Sequence, residues 1–194
     1  MKFRINNARN TGRAPASRAF CRGVTVVELM VVLSILAVLL TVGIPSYSNL
    51  LQKNRISETS GLLHVSLHMA RGEAIKRRRP VQVCPSADGS SCRNDGDWSE
   101  GWVVFADTNG NNVPDAGEVV RLVDMLGEGI EITASPTVED FLRFEPTGII
   151  WGSGGAAGRF LICHVDHDVH SNTLQVMPAG QIRVQQTGAG ACGV

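Results

Sequence analysis

Between Val24 and Ile44 the chain runs 21 residues with a single charge, Glu28. As a helix that length covers about 30 Å, the thickness of bilayer hydrocarbon. A lone carboxylate at the centre of such a helix costs about 2.5–3.5 kcal/mol. No basic residue lies inside the run to offset it. The segment therefore constrains the chain to a membrane span whose one charge needs a partner from elsewhere, which points to assembly rather than simple anchoring.

The flanks orient the span. Residues 1–23 hold Lys2, Arg4, Arg9, Arg13, Arg18 and Arg22 and no acid. The positive-inside rule places this leader in the cytoplasm and the rest of the chain outside. A secretory signal peptide is the alternative. It fits badly, because the run is too long, Glu28 interrupts it, and Gly43-Ile44-Pro45 is no Ala-x-Ala site.

Beyond the leader the balance is acidic. The chain has 18 basic and 18 acidic residues, and six of the bases are in the leader. A domain with that balance is a poor general binder of phosphate backbones. Cys84, Cys92, Cys163 and Cys192 follow the span, an even number in a domain expected outside the cytoplasm, while Cys21 lies in the leader. Four cysteines allow three pairings. Local proximity favours Cys84–Cys92 and Cys163–Cys192, each restricting the unfolded chain by about 3 kcal/mol. Free buried thiols are the alternative, and Cys-x2-Cys zinc spacing is absent.

Periodicity divides the remainder. Over residues 46–79, Leu63, Leu67, Ala70 and Ala74 recur at helical steps, with Leu62, Met69 and Ile75 widening the stripe. Arg55, Glu58, Arg71 and Lys76 fall on other faces. Pro45 is expected to kink or loosen the helix, and Pro80 to stop it. From Pro80 the period becomes two. Strands are expected at 81–84, 102–106, 118–123, 130–134, 141–144, 148–151, 158–164, 173–177 and 181–185, and Met177–Gly180 reads as a hairpin turn. The fold class is α+β: a long N-terminal helix, transmembrane and then amphipathic, packed on an antiparallel β-sheet head. Its parts are a leader at 1–23, a transmembrane assembly helix at 24–45, an amphipathic helix at 46–79 and a β-rich head at 80–194.

Three constellations could carry chemistry. Asp107, Asn109, Asn111, Asp115 and Glu118 have the oxygen spacing of an EF-hand-type calcium loop at positions one, three, five, nine and twelve, with the Val113 carbonyl at seven. Asn112 stands where the sharp-turn glycine belongs, and no flanking helices are expected. A polar hairpin built of turn formers has the same composition. Cys163-His164-x-Asp166-His167-Asp168-x-His170 would put His164, Asp166, Asp168 and His170 on one face of a strand, where they could hold zinc; a solvated strand end reads the same way. Lys76-Arg77-Arg78-Arg79 could grip phosphates or could simply end a helix where the macrodipole favours cations. No nucleophile–base pair and no phosphate-binding Gly loop stands out, so no enzyme is expected and no cofactor beyond calcium.

The order of a basic leader, Gly23, Glu28 five residues later, an apolar run and Pro45 resembles the class III signal of type IV pilins and type II secretion pseudopilins. The resemblance implies that a prepilin peptidase cuts after Gly23 and methylates the new N-terminus, Val24, where the family usually has Phe. It implies that Glu28 pairs with the N-terminal amine of a neighbouring subunit, and that Pro45 matches a common helix-kinking proline. Ala70–Arg77, Val81–Cys84, Trp98–Asp107 and Gly117-Glu118 are similar to the GspH/FimT branch of minor pilins. That branch implies a pilin-like structural subunit of the bacterial inner membrane, head in the periplasm, whose partners are other pilins or pseudopilins. It leaves open a type II secretion pseudopilus or a type IV pilus of FimT/FimU type, active in pilus biogenesis or DNA uptake. Some members of the branch bind DNA through a Gly-Arg-x-Arg motif. Here the stretch is Gly180-Gln181-Ile182-Arg183, which keeps Arg183 and lacks the first arginine.

Overall fold

Helix α1 runs from Val26 to Arg77, 52 residues. The computed structural model describes residues 23–124, 126–166 and 170–188, without the side chains of residues 42–45. Pro45 falls inside α1, and its side chain is thus outside the described residues. Contacts divide the chain into residues Met1–Val42 and Gly43–Val194.

In the first unit every described residue from Gly23 to Thr41 is exposed. An 18-residue window of α1 has a mean hydropathy of 2.6 and none of it is buried, so the helix is long and apolar enough to cross a membrane. Thr25 caps its start. The Glu28 N–H donates to Thr25 Oγ1 at 3.2 Å, and the Leu29 N–H to the Thr25 carbonyl at 3.2 Å. Threonine at this position satisfies a donor that the first turn otherwise leaves unpaired.

In the second unit α1 buries Ile56, Leu63, Leu67, Ala70 and Ala74, one apolar stripe at steps of three, four and seven. The helix stops at Arg77, two residues before the expected end at 79. Arg78 adopts a φ of 54°, the left-handed conformation that closes many helices, and Pro80 disfavours helical geometry at Arg79.

Nine strands follow among the described residues. They are β1 (Val81–Pro85), β2 (Gly101–Phe105), β3 (Val119–Asp124), β4 (Ile130–Ala134), β5 (Leu142–Phe144), β6 (Ile150–Gly152), β7 (Gly158–His164), β8 (Ser171–Val176) and β9 (Ile182–Thr187). Each lies where the sequence placed it, with no end shifted by more than two residues and with β4 and β7 unshifted. They form two antiparallel sheets, ordered β3-β2-β1-β5-β6 and β4-β7-β8-β9.

One core joins both sheets to the helix stripe. It gathers Val81, Val83, Trp102, Val104 and Phe144 from the first sheet with Ile132, Phe160, Ile162, Leu174 and Val176 from the second. Trp98 meets Phe160 edge to face, ring centroids 4.9 Å apart, and donates its indole N–H to the Glu139 carbonyl at 2.8 Å. That arrangement lets a large apolar side chain be buried without orphaning its one donor. Strand β1 is central and buried along its whole length. Its other face supports a small cluster of Cys84, Val103 and Phe105, flanked by Cys92 and Phe141. Gly101 has a φ of 121°, and a Cβ there would meet the Val123 carbonyl oxygen at 2.2 Å. Only glycine lets β3 approach so closely.

Candidate functional site

The α1 N-terminus carries the assembly candidates. Gly23 and Val24 precede the helix and are exposed, as is Glu28 in its first turn. Thr25 and Glu28 have the Thr-x-x-Glu spacing of a capping box, and the threonine half of that box is formed. Sequence reasoning weighed Glu28 only as a charge in need of a partner. The Thr-x-x-Glu spacing was the signal that would have found Thr25.

The basic run at the other end of α1 is largely engaged. Glu73 accepts from Arg77 Nε at 2.5 Å and from Lys76 Nζ at 3.4 Å. The Arg77 hydrogen bond is the main reason the Glu73 carboxyl titrates below its ordinary value. Arg79 Nη1 donates to the Thr108 carbonyl at 3.3 Å. Arg183 is exposed on β9, opposite Gln175, which in turn lies opposite Arg159 on β7.

The cysteines follow the folded chain. Cys84 at the end of β1 and Cys92 in the next loop are bonded to each other, with Cα atoms 5.6 Å apart. Within the loop they close, Asp88 accepts from the Ser90 and Ser91 N–H groups at 2.9 and 3.0 Å. Those bonds, with the Ser90 N–H first, hold the Asp88 carboxyl far below the usual range. Cys163 on β7 is also disulfide-bonded. Cys192 lies outside the described residues.

Of its two readings, the His/Asp constellation follows the strand end among the described residues. Strand β7 ends at His164 and the chain turns at Val165 and Asp166. The two-residue alternation that would have aligned four ligands therefore stops after the first. His164 Nδ1 and Asp166 Oδ2 lie 3.3 Å apart, and Gln52 Nε2 donates to the same carboxylate oxygen at 2.8 Å. His167 and Asp168 lie outside the described residues. Among the described residues no group of three or more His, Cys, Asp or Glu side chains is gathered as a metal site.

The Asp/Asn constellation does come together, as the loop between β2 and β3. The Ala106 N–H donates to the Glu118 carbonyl at 2.9 Å and closes its base. Asp107 Oδ1 accepts from the Gly110 and Asn111 N–H groups at 2.7 and 3.2 Å, and Oδ2 from that of Asn112 at 3.2 Å. Asn109 Oδ1 accepts from the Asn111 N–H, and Asn111 Oδ1 from the Val113 N–H. Asp115 Oδ2 receives the Nδ2 groups of Asn109 and Asn111, both at 2.8 Å, and these lower the Asp115 titration. Glu118 is buried. Its Oε1 accepts from the Thr108 N–H at 2.8 Å and from the Thr108 hydroxyl, which lowers its titration, while Oε2 is buried without a partner.

Two helix cations, read from the sequence only as falling off the apolar stripe, tie α1 to the sheets. Arg71 donates to the carbonyls of Gly148 at 3.2 Å and Ala179 at 3.0 Å. Arg55 Nη1 donates to the Glu128 carbonyl at 2.9 Å. Inside the core Ser60 Oγ accepts from Asn172 Nδ2 at 2.9 Å and donates to the Ile56 carbonyl at 2.6 Å.

Residues 60–188 match the family described as Type II transport protein GspH, more than half of the chain. The chain belongs to the GspH family. Residues 18–44 match the prokaryotic N-terminal methylation motif. Among solved structures, the GspH-family chain resembles the type IV minor pilin FimU of Pseudomonas aeruginosa strain PAO1, with a TM-score of 0.53 and 20% identity, over 69% of this chain and 90% of that one. That likeness concerns the fold. The minor pseudopilin EpsH from the Type 2 Secretion System of Vibrio cholerae is similar at a TM-score of 0.49 and 12% identity, over 70% of this chain and 98% of that one. No curated protein sequence matches. This GspH-family chain is thus a minor pilin or pseudopilin of the type IV pilin-like family, a structural rather than enzymatic family. It is anchored in a membrane by its N-terminal apolar helix, and its family assembles with other pilins after N-terminal processing.

Proposed function

We propose that the chain is a minor pseudopilin, a structural subunit of a type II secretion pseudopilus. The observation that carries this reading is the GspH match over residues 60–188 behind a methylation motif at 18–44. In it a prepilin peptidase cuts after Gly23, and Val24 becomes the methylated N-terminus. The basic leader keeps the N-terminus in the cytoplasm, so the head lies in the periplasm and the span in the inner membrane.

Cleavage creates an amine at Val24, and the amine of one subunit meets Glu28 of its neighbour. A buried carboxylate is tolerated when an opposite charge reaches it, and breaking such a pair costs about 3–5 kcal/mol, so register along the filament becomes specific. The exposed apolar side chains of α1 from Val26 to Leu40 pack against lipid before assembly and against other subunits after it.

The test compares Glu28→Ala with the wild type in a strain lacking the native copy. The variant is expected to reach the membrane at wild-type level, to be cleaved, and to abolish secretion of the machine's substrates. Normal incorporation and secretion would sink the pairing.

A second reading, a type IV pilus minor pilin, is favoured by the fold likeness to FimU. The same strain separates the two. Loss of surface pili or of DNA uptake, with secretion intact, selects the pilus. Under that reading Arg183 and Lys76–Arg79 contact DNA. Gel shifts at two salt concentrations should then weaken with Arg183→Ala and with the basic run neutralised; binding unchanged by both removes these residues from consideration.

A further inference from the structure

We infer that the outer face of the first sheet holds a binding pocket for a neutral saccharide, floored by Gln82, walled by Asn94, Asn112, Asp140 and Arg143, and extended by the exposed ring of Trp151. The pocket is a cavity of about 660 Å³ between the disulfide-closed loop after β1, the β2–β3 loop and the segment leading into β5. A volume of that size is ordinary for a small-molecule site. Strand pairing sets its floor. Phe105 on β2, Gln82 on β1, Arg143 on β5 and Trp151 on β6 stand directly opposite one another in turn, so their side chains form one row across the sheet. Phe105 belongs to the cluster on the side of β1 away from the main core, so the row faces outward.

The observation that points to a ligand is Gln82. It is 2% exposed, it lines the cavity, and its Oε1 is buried without a partner. Strand β1 lies between β2 and β5, so its backbone is taken up by two ladders and the side chain is the part of Gln82 that borders the cavity. Buried amide oxygens are rarely left unpaired, and a donor from a ligand would remove that cost. Arg143 is held beside it. Its Nε donates to Glu145 Oε1 at 3.2 Å, which fixes the guanidinium and leaves the Nη groups for another acceptor.

The chemistry of the walls selects the ligand class. Asp140 repels an anion and Arg143 a cation, so the pocket favours an uncharged ligand. The amides of Gln82, Asn94 and Asn112 both donate and accept, as do the hydroxyl groups of a sugar. Trp151 is 54% exposed and offers an apolar ring beside Arg143, on which the C–H face of a sugar ring can lie. An extended peptide fits the site less well. It is captured by the free N–H and C=O row of an edge strand, whereas the floor strand β1 is central.

The experiment uses the full chain in micelles of lauryldimethylamine oxide, a detergent without a sugar head. Of the three tryptophans, Trp98 and Trp102 are fully buried, so iodide quenching of fluorescence reads Trp151. Chitotriose, maltotriose and, as a peptide arm, trialanine are titrated separately by quenching and by calorimetry. At least one of the two saccharides is expected to bind saturably, with a Kd of about 1 mM or below, and to protect Trp151 from iodide. Trp151→Ala and Gln82→Leu, read by calorimetry, should each weaken binding about fivefold or more. Should Gln82→Leu fail to fold, the exposed Trp151→Ala carries the comparison. No saturable binding of either saccharide by the folded wild type would overturn the assignment, as would binding that either folded variant leaves unchanged, or uptake of trialanine in their place.

Discussion

At the scale of single residues, the contacts that fix the head are polar and short. Arg71 reaches two carbonyls in turns that lead into different sheets, Gly148 before β6 and Ala179 before β9. Arg71→Ala should lower stability by about 1–3 kcal/mol, since bonds to a charged donor are lost and two carbonyls are left to water or to nothing. Gly180 sits in the same spot. A Cβ there would meet the Gly148 carbonyl oxygen at 2.0 Å, on a backbone with a φ of 72°. Gly180→Ala should therefore also cost about 1–3 kcal/mol, through strain rather than lost bonds. Urea melts of both variants and of the double variant would check this. Because the two sites share a partner, the double variant should fall short of the sum. Neither contact was legible in the sequence, where Arg71 was simply a cation off the apolar stripe. A helix position gives the direction of a side chain but not the identity of a carbonyl more than seventy residues away.

At the scale of elements, α1 is fixed on the sheets by an apolar stripe and by one polar pair within it. The stripe was legible, because Leu63, Leu67, Ala70 and Ala74 recur at the helical period. The pair between Ser60 and Asn172 was not, because periodicity counts both residues as polar and so as surface. They are 2% and 8% exposed. Such a bond sets the register of the helix against β8, since any slide along the axis leaves Asn172 buried and unpaired. Ser60→Ala should cost about 1–3 kcal/mol, the penalty for the orphaned amide, and Ser60→Ala with Asn172→Leu should recover part of it. Denaturant unfolding of the two variants measures the difference; equal losses would remove the pair from any role in register. The strands were legible for a different reason. Where one face is buried and the other wet, as in β4, alternation shows through: Ile130 and Ile132 are buried while Glu131 and Thr133 are exposed. In β1 both faces are covered, so burial there shows no alternation, and the change of period after Pro80 with its β-branched residues carried the reading.

At the scale of the whole molecule, titration should destabilise the head in two steps on acidification. His68 lies exposed on α1, and partial desolvation by its neighbours, then the nearby charges of His64 and Arg71, hold it below its ordinary value. The fold prefers its neutral form, so this contribution is complete above about pH 6.5 and is lost as pH falls below it. The carboxyls of Glu73, Asp88, Asp95, Asp115 and Glu118 are depressed by hydrogen bonds, from Arg77, Ser90, Arg93, Asn109 and Thr108 foremost. Their contribution is complete above the ordinary carboxylate range of about 3.9–4.3 and is lost as pH falls through the lower folded values. Thermal midpoints between pH 8 and pH 2 should fall slightly below pH 6.5 and more steeply below pH 4, and His68→Gln should remove the upper step alone. A midpoint flat from pH 7 to pH 3 would refute both attributions. What the sequence determined by itself is whatever rests on local pattern: the apolar span with Glu28, the stop of α1 near Pro80, the strands, and the pilin-like class. Those features follow from one-dimensional spacing, because helix and strand periods and turn residues act over a few positions. Only the tertiary structure decided which polar groups meet across the fold. Ser60 was brought to Asn172 and Arg71 to two distant turns, the His/Asp run was cut short at His164, and Glu118 was left with one carboxylate oxygen unpaired. Each of these depends on how two sheets and a helix close on one another, and no local period carries that information.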